Sequence, residues 1–376
     1  MKSSLAVSTV IVSEAKQSPA CAGVRTPASE AAAPLTTEHD VTGTAPILHV
    51  EHLSVHFPVR HGVFGTHTVK ALDDVSFVVP RGATLGIAGE SGCGKSTLGF
   101  AVLMLQKLTA GRVIFDGTDL GQLDRRAVRQ MRRRMQIVFQ DSAASLNPRT
   151  QIGAIIGQAL DIHGLYTGRE RAPRIRALLD MVGLASNFAD RFPHQLSGGQ
   201  AQRVAIARAL AVGAELIVYD EPVSALDVSI QAQIVNLLQN LQRELRLTYL
   251  FISHDLSIVR HISDIVAVMY LGRIVEFAPK TSLYARPSHP YSQALLSAVP
   301  VPDPALERAR RRIILKGDLP DPTNPPSGCG FRTRCPIALA ACAETPPPPF
   351  PVADDHWARC IRVGESVTSS APGLPP

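Results

Sequence analysis

Apolar and polar positions follow two different periods in the first half of the chain. Residues 47–57 alternate in the manner of an amphipathic strand, and residues 72–79 predict a second strand that ends at the turn signal 80–82. Residues 84–88 form a short apolar run typical of a buried strand. A helix from Lys95 to about Leu105 is predicted to follow that strand.

Helical periodicity dominates residues 142–212, which are predicted as an inserted helical subdomain. Its recurring apolar positions are Ile155, Ile156, Leu160, Ile175, Leu178, Leu179 and Val182. Beyond it, residues 216–218 and 249–252 predict buried strands, separated by one helical stripe. That stripe consists of Ile230, Ile234, Leu237, Leu238, Leu241 and Leu245. Strand, helix and strand in this order predict a parallel sheet with right-handed crossovers.

The two ends of the chain differ from this pattern. Residues 1–45 are rich in Ala, Ser, Thr and Pro without apolar period or aromatics, which predicts a disordered leader. Prolines and four of the six cysteines concentrate beyond residue 300. We therefore expect one large domain over 46–300 and a small, separate module over 301–376.

Composition narrows the functional classes. The chain has 376 residues, 45% of them hydrophobic, but no apolar run near the roughly 20 residues of a membrane span, so a membrane role requires a partner. The start of the chain only faintly resembles a signal peptide, because Ser and Thr interrupt its apolar stretch. The net charge of +6 comes partly from arginine clusters at 125–134 and 308–312. Neither cluster interleaves aromatics, so solvated helix faces are favoured over nucleic-acid binding, while an anionic membrane surface fits equally well.

A glycine-rich segment follows the predicted strand 84–88 and has the full pattern of a P-loop. Its residues are Gly89, Glu90, Ser91, Gly92, Cys93, Gly94, Lys95, Ser96 and Thr97. The glycines permit an anion nest of backbone N–H groups at a helix N-terminus. Lys95 adds a charge at the β/γ-phosphates of ATP, and Ser96 can bind Mg²⁺, whereas Cys93 is interpreted as a bystander thiol.

Two acidic residues at the end of the predicted strand 216–218 are candidates to take part in ATP hydrolysis. Asp220 is placed to hold Mg²⁺, and Glu221 is a candidate to polarise the attacking water. Gln140 follows another apolar run and could reach the metal or the water. His254 follows the strand 249–252 and could contact the γ-phosphate. A cytosolic source of ATP places the protein in the cytoplasm.

Together these motifs resemble the nucleotide-binding subunit of ABC transporters over about residues 47–360. Gln140 matches the Q-loop, Asp227 the D-loop and His254 the switch histidine of that family. The family signature is matched by Ser197, Gly198, Gly199 and Gln200. The resemblance implies an α/β fold of the P-loop, RecA-like type with an inserted helical subdomain and an amino-terminal antiparallel β region. It also implies that two subunits close over ATP, the signature of one binding the γ-phosphate held by the other.

Finer features resemble the dipeptide and oligopeptide importer branch. These are the segments 139–149, 289–296, 324–329 and 334–336, with departures from the branch pattern at Ser142, Gln195, Arg332 and Thr333. The family stacks an aromatic on adenine from a loop before the P-loop. Phe64 is the aromatic nearest the expected distance, although His67 lies closer in register.

The C-terminal cysteines are spaced C-x5-C-x6-C-x17-C at Cys329, Cys335, Cys342 and Cys360. The close pairs of a zinc ribbon are missing from this spacing. Four thiolates also suit a 4Fe-4S iron–sulfur cluster, which some members of the branch hold, with Arg332, Arg334 and Arg359 to offset its charge. Iron–sulfur, Zn²⁺ and unligated thiols all remain open.

The resemblance implies an ATP-hydrolysing subunit of a peptide importer, peripheral at the cytoplasmic face of the cell membrane. Its expected partners are two transmembrane permease subunits, a second ATPase subunit that is either identical or related and, indirectly, an extracytoplasmic solute-binding protein, with no nucleic acid. Nickel chelates, sugars or opines are alternative cargoes. A DNA-repair type of ATPase is disfavoured because only about 100 residues separate Lys95 from Ser197, too few for a coiled-coil insertion. Soluble translation factors usually fuse two cassettes, and this chain has one.

Overall fold

The computed structural model describes residues 45–61, 65–300, 303, 308 and 312–363. The predicted leader, apart from its last residue, and Phe64 lie outside these residues. The predicted amphipathic strands are confirmed in an antiparallel sheet with the order β2-β1-β4-β5. Its strands are β1 (Leu48–His61), β2 (Gly65–Val79), β4 (Ala110–Phe115) and β5 (Thr118–Asp119).

The central sheet has eight strands in the order β11-β12-β10-β9-β3-β8-β7-β6. They are β3 (Thr84–Ala88), β6 (Met135–Val138), β7 (Leu216–Asp220), β8 (Thr248–Ile252), β9 (Ile265–Tyr270), β10 (Arg273–Pro279), β11 (Phe350–Ala353) and β12 (His356–Ala358). From β6 to β9 all neighbours are parallel, as predicted, and β10, β12 and β11 continue the sheet antiparallel. The carboxyl ends of the parallel strands therefore meet at one edge.

Nine α-helices lie within the described ranges. They are α1 (Lys95–Val102), α2 (Arg125–Arg134), α3 (Ile152–Ile162), α4 (Arg171–Met181), α5 (Gly198–Leu210), α6 (Val228–Leu245), α7 (Leu256–Ile262), α8 (Lys280–Ala285) and α9 (Pro290–Ser297). The predicted helix after the P-loop is confirmed, although it ends at Val102 rather than near Leu105. The segment 142–212 contains α3, α4 and α5.

The parallel strands are apolar throughout because both of their faces are covered. In β7, Ile217 and Tyr219 pack into one cluster with α5 and α6, whereas Leu216 and Val218 pack into another with α1 and the antiparallel sheet. The helices α3 and α4 share the first of these clusters. The core is thus continuous from the central sheet into the helical segment.

The expected separate C-terminal module is not confirmed. The strand β12 pairs with β10 of the central sheet, and the Trp357 ring stacks on Phe277 with centroids 5.8 Å apart. Phe331 is buried in a third cluster, against Tyr270 and Tyr291. Proline- and cysteine-rich composition indicates little core of its own, but these few aromatics join the core of the larger domain. No helix in the parts that the structure describes is long and apolar enough to cross a bilayer.

Candidate functional site

The P-loop backbone adopts conformations that require glycine. Gly89, Gly92 and Gly94 all have positive φ, and Gly94 is the N-cap of α1 with φ 103°. A Cβ on Gly94 would lie 2.2 Å from the Ala71 carbonyl oxygen, and one on Gly89 would lie 2.3 Å from that of Met269. Only a loop without these side chains can pass here and aim its N–H groups at an anion.

Lys95, the first residue of α1, is buried within this loop. Its Nζ donates to the carbonyl oxygens of Gly89 at 2.8 Å and Glu90 at 2.9 Å. An ammonium held by neutral carbonyls keeps its positive charge available to a phosphate. The Cys93 Sγ lies 3.8 Å from the same Nζ, and burial raises the pKa of this thiol, which fits the bystander interpretation.

Ser96 and Asp220 meet at the carboxyl end of β7. The Ser96 Oγ donates to Asp220 Oδ1 at 2.8 Å, so the hydroxyl and carboxylate predicted to bind Mg²⁺ are adjacent. Asp220 is 6% exposed, and burial raises its pKa, with the neighbouring Glu221 charge adding to the rise. A carboxylate beside a hydroxyl is a set of oxygen donors that suits Mg²⁺.

Glu221 is the point on which two of the predicted residues converge. The Gln140 Nε2 donates to Glu221 Oε2 at 3.2 Å, and the His254 Nδ1 lies 3.3 Å from the same oxygen. Glu221 has a positive φ of 48°, which is uncommon outside glycine and is found at functional sites. Its N–H donates to the Ile252 carbonyl at 3.0 Å, which ties the strained residue to β8.

A cavity of about 510 Å³ opens over this edge of the sheet. Its walls include the P-loop residues Gly92, Gly94, Lys95, Ser96 and Thr97, together with Gln140 and Glu221. Further lining residues come from the segments 69–73 and 270–275 and from the C-terminal residues 322–331, 346–347 and Arg359. The volume falls within the range of small-molecule and cofactor sites, which is about 300–1,000 Å³.

The signature residues begin a helix elsewhere on the surface. Ser197 is the N-cap of α5, where its Oγ accepts from the Gln200 N–H and its own N–H donates to Gln200 Oε1 at 3.0 Å. Ser197 and Gly198 are exposed, and none of residues 197–200 lines the described cavity. Asp227 similarly caps α6 by accepting from the Ile230 N–H at 3.0 Å. The signature therefore presents a helix N-terminus away from the P-loop of its own chain.

Family models match both the N-terminal and the C-terminal parts of the chain. The family model described as ABC transporter matches residues 72–224, and that described as the C-terminal region of oligopeptide/dipeptide transporters matches residues 275–342. The oligopeptide transport ATP-binding protein AppF of Bacillus subtilis (strain 168) is 52% identical over 84% of this chain and 96% of its own length. The chain belongs to the ATP-binding proteins of ABC transporters. Within that family it falls in the oligopeptide/dipeptide branch.

Further relatives and solved structures support the assignment. A putative peptide import ATP-binding protein of Brucella abortus (strain 2308) is 53% identical over 84% of this chain and 98% of its own length. The dimeric ATP-binding cassette MJ0796, solved in a post-hydrolysis state with ADP and Pi, has a TM-score of 0.56 and 30% identity over 62% of this chain and 98% of its own. The cassette cbiO1 from Clostridium perfringens has a TM-score of 0.56 and 29% identity over 64% of this chain and 91% of its own. This protein is therefore an ABC-type ATPase.

In this ABC ATPase, two residues distant in sequence contact the P-loop, and the sequence did not predict either contact. The Tyr291 hydroxyl accepts from the Glu90 N–H at 2.9 Å, and Arg334 donates to both oxygens of the Glu90 carboxylate. Both residues stood in segments that carried the branch resemblance, but neither was linked to the P-loop. The contacts span 201 and 244 residues, so no local period could reveal them.

The four C-terminal cysteines are free thiols, and Cys329 lies near the other three. Burial raises the pKa of Cys329 to about 11, and the nearby Cys342, Cys360 and Cys335 contribute to the rise. Yet the described residues contain no group of three or more His, Cys, Asp or Glu side chains that is placed to hold a metal ion. The donor set is chemically suitable for iron–sulfur or Zn²⁺, but its present arrangement is not a ligand shell.

The arginines expected to offset a cluster charge have other partners. Arg334 pairs with Glu90, and Arg359 contacts Asp74 Oδ2 at 3.2 Å. Arg332 donates to the Ser327 carbonyl at 2.8 Å. The three arginines were expected near the thiols because they are close to the cysteines in the sequence. Arg334 and Arg359 instead pair with carboxylates that are distant along the chain, and Arg332 bonds to nearby Ser327.

Proposed function

We propose that this chain is the ATP-hydrolysing subunit that energises a membrane importer of dipeptides or oligopeptides. The observation that carries the proposal is the convergence of Gln140 and His254 on Glu221, beside a P-loop whose Ser96 already contacts Asp220. Support for peptide cargo comes from the names of the relatives, which are oligopeptide transport and peptide import ATP-binding proteins. Nickel chelates, sugars or opines are the alternative cargoes.

Each polar group has a role in this proposal. The P-loop N–H groups and Lys95 bind the β- and γ-phosphates of ATP, with Ser91, Gly92 and Gly94 shaping the loop. Ser96, Asp220 and Gln140 would hold Mg²⁺, which when bound supplies charge neutralisation at the phosphates. Glu221 orients and polarises the attacking water, and Gln140 and His254 hold the Glu221 carboxylate in place. His254 is also free to reach the γ-phosphate.

A second ATPase subunit completes the site. The exposed N-terminus of α5, with Ser197, Gly198, Gly199 and Gln200, would bind the γ-phosphate held by the P-loop of the other subunit, because helix N-termini favour anions. Asp227 would lie at the same interface. The MJ0796 cassette, to which this chain is similar, is dimeric in its post-hydrolysis structure, which supports such pairing here.

Membrane partners follow from the same proposal. We expect two permease subunits, docked on a surface made by the helical segment 142–212 and Gln140, at the cytoplasmic face of the cell membrane. A solute-binding protein on the other side would deliver the cargo. The corresponding division of the chain is a leader over 1–45, an ATPase domain over 46–300 and an extension over 301–376, with Phe64 as the candidate adenine contact.

The catalytic proposal is tested with Glu221→Gln. The amide keeps the shape of the side chain but cannot polarise water, so ATP binding should persist while hydrolysis falls at least about 100-fold. Size-exclusion chromatography with light scattering, in ATP and Mg²⁺ with the cognate cassette and membrane partners present, should detect a trapped closed dimer. Glu244→Gln, an exposed acid on α6, is the matched control. Hydrolysis by Glu221→Gln at the wild-type rate would exclude the assigned role.

Cargo is tested separately from catalysis. In the native host, deletion of the gene should abolish uptake of labelled di- and oligopeptides, and the wild-type gene should restore it, whereas the Lys95→Ala gene should not. Labelled nickel chelate, sugar and opine serve as parallel substrates. Loss of one of these uptakes with peptide uptake intact would replace peptide by that cargo.

We further propose that Cys329, Cys335, Cys342 and Cys360 bind a 4Fe-4S cluster, with Zn²⁺ as the alternative. The support is chemical: burial raises the pKa values of Cys329, Cys335 and Cys360, and neighbouring cysteines of the same set add to each rise, so the thiols lie near one another. Metal binding would require a rearrangement that brings the four cysteines into one shell and releases their protons. Iron, zinc and sulfide analysis of protein purified without oxygen tests this. Neither metal at about one site per chain would end the proposal.

A further inference from the structure

Glu90, the second residue of the P-loop, is held from outside the loop at two points. The Arg334 Nη1 and Nη2 atoms donate to the two Glu90 carboxylate oxygens at 2.7 and 3.1 Å. The Tyr291 hydroxyl accepts from the Glu90 N–H at 2.9 Å. Arg334 and Tyr291 both belong to the part of the chain beyond the β9–β10 hairpin. The conformation of this P-loop residue therefore depends on side chains beyond Pro279, the part of the chain that we call the C-terminal segment.

The two partners are themselves rigidly placed. The Arg334 side chain is only 10% exposed, and its guanidinium lies 6.0 Å from the Tyr270 ring centroid. The backbone N–H of Arg334 donates to the Phe331 carbonyl. Phe331 packs against Tyr270 and Tyr291, with both pairs of ring centroids 5.3 Å apart. Buried aromatics and a bidentate guanidinium leave little rotational freedom. The segment thus presents Arg334 in one orientation.

The link continues from Glu90 to the phosphate-binding lysine. The Glu90 carbonyl accepts from Lys95 Nζ at 2.9 Å and from the Cys93 N–H at 3.3 Å. A shift of Glu90 would therefore move the Lys95 ammonium and the loop N–H groups together. The Glu90 carboxylate also carries a negative charge on a loop that must receive a triphosphate. Arg334 neutralises that charge, which reduces its repulsion of the anionic nucleotide.

We propose that Arg334 and Tyr291 are positioning residues for ATP binding, so that the C-terminal segment sets the nucleotide affinity of the P-loop. The inference rests on the proposed ATP site and adds a control on it from outside the ATPase motifs. Arg334 acts through Glu90 and does not touch the reacting atoms. Its loss should therefore weaken binding and leave the chemical step of the saturated enzyme unchanged.

The test measures ATP affinity and turnover in the full chain. Arg334→Gln should raise the Kd for a fluorescent ATP analogue, and the KM for ATP, about tenfold, while kcat at saturation stays within about twofold. In the Glu90→Gln background the same substitution should change the Kd by no more than about twofold, because the uncompensated charge is gone. Tyr291→Phe, which leaves the Glu90 N–H without its acceptor, should raise the Kd several-fold.

Arg332→Gln is the matched control. This arginine lies two residues away in the same segment but donates to Ser327, so its substitution should leave the Kd unchanged. An equal loss of affinity from Arg334→Gln in the wild-type and Glu90→Gln backgrounds, or an equal loss from Arg332→Gln, would show a general packing role and overturn the inference. If Arg334→Gln fails to fold, Arg334→Lys serves in the same cycle. A wild-type chain that neither binds nor hydrolyses ATP would instead overturn the proposed function.

Discussion

At the scale of single residues, the phosphate site contains a carboxylate whose burial is costly without its cation. Asp220 is 6% exposed, and burial raises its pKa above the ordinary 3.8, with Glu221 adding to the rise and Ser96 and Lys95 opposing it. A raised pKa in the folded state means that the ionised carboxylate lowers the free energy of unfolding. This cost is present above the raised pKa and is relieved as the pH falls through it.

We therefore expect Asp220→Asn to stabilise the nucleotide-free protein at pH 7. The amide oxygen can still accept from Ser96, and the gain should be about 1 kcal/mol, or roughly 2–4 °C in Tm. Calorimetry should show the difference from wild type narrowing as the pH is lowered towards 4, while ATP hydrolysis is lost at every pH. Asp227→Asn is the control, because hydrogen bonds from Ser229 and Ile230 lower the pKa of that exposed carboxyl, and it should not raise Tm. A lower Tm for Asp220→Asn would contradict the argument.

At the scale of elements, the N-terminus of α5 has two tasks that mutation can separate. Ser197 satisfies the orphan Gln200 N–H within its own helix, and we propose that it also meets the phosphate of a partner subunit. Ser197→Ala removes the cap, which typically costs about 1 kcal/mol. Ser197→Asp keeps an acceptor at the cap and favours the helix dipole, but its charge repels a phosphate.

The predicted outcome is a crossed pattern. Ser197→Ala should lower the unfolding free energy, whereas Ser197→Asp should match wild type in urea denaturation. In the ATP-dependent dimerisation assay, Ser197→Asp should be the more severely impaired of the two. If Ser197→Asp closes the dimer as well as wild type does, the proposed contact in trans is wrong.

Local pattern predicted the elements well where burial is continuous along the chain. The residues of β3, β7 and β8 are all buried, so their apolar runs were visible in the sequence. The stripe of α6 was visible for the same reason, with Ile234, Leu238 and Leu241 buried. Such a pattern records that a residue is buried but not against which partner. The pairing of β12 with β10 was therefore not predictable.

The candidate site likewise contains residues that the sequence predicted and contacts that it did not predict. The P-loop, Asp220 and Glu221 could be predicted because their residues adjoin strand ends, and parallel strands bring those ends together. The contacts of Arg334 and Tyr291 with Glu90 depend on side chains that meet across more than 200 residues. Composition suggested that the arginines would offset the charge of the cysteines, whereas in the structure Arg334 and Arg359 pair with the carboxylates of Glu90 and Asp74.

At the scale of the whole molecule, one buried carboxylate joins three parts of the chain. Glu276 of β10 is 0% exposed and accepts from the Ser288 and His289 N–H groups, which precede α9. It also contacts His356 Nε2 of β12 at 2.8 Å. Burial lowers the pKa of His289 to about 4, so this imidazole stays neutral beside the carboxylate at physiological pH. The C-terminal hairpin is thus tied to the central sheet through Glu276.

If this tie integrates the C-terminal segment with the ATPase domain, His356→Ala should destabilise the whole region rather than the hairpin alone. Removing one partner of a buried carboxylate costs about 3–5 kcal/mol when the remaining charge is uncompensated, and the two backbone donors should reduce this to about 2–3 kcal/mol. Hydrogen exchange should show β10, the start of α9 and β12 losing protection together.

His49→Ala is the control. It breaks a partly exposed contact with Glu51 at 3.5 Å and should change the free energy of unfolding by less than about 0.5 kcal/mol. Loss of protection confined to residues 350–358 would instead indicate an independent module, as composition alone suggests. Arg334 lies on the same segment, so if the segment is joined to the ATPase domain, His356→Ala should also weaken ATP binding. If the segment is an independent module, the affinity for ATP should stay unchanged.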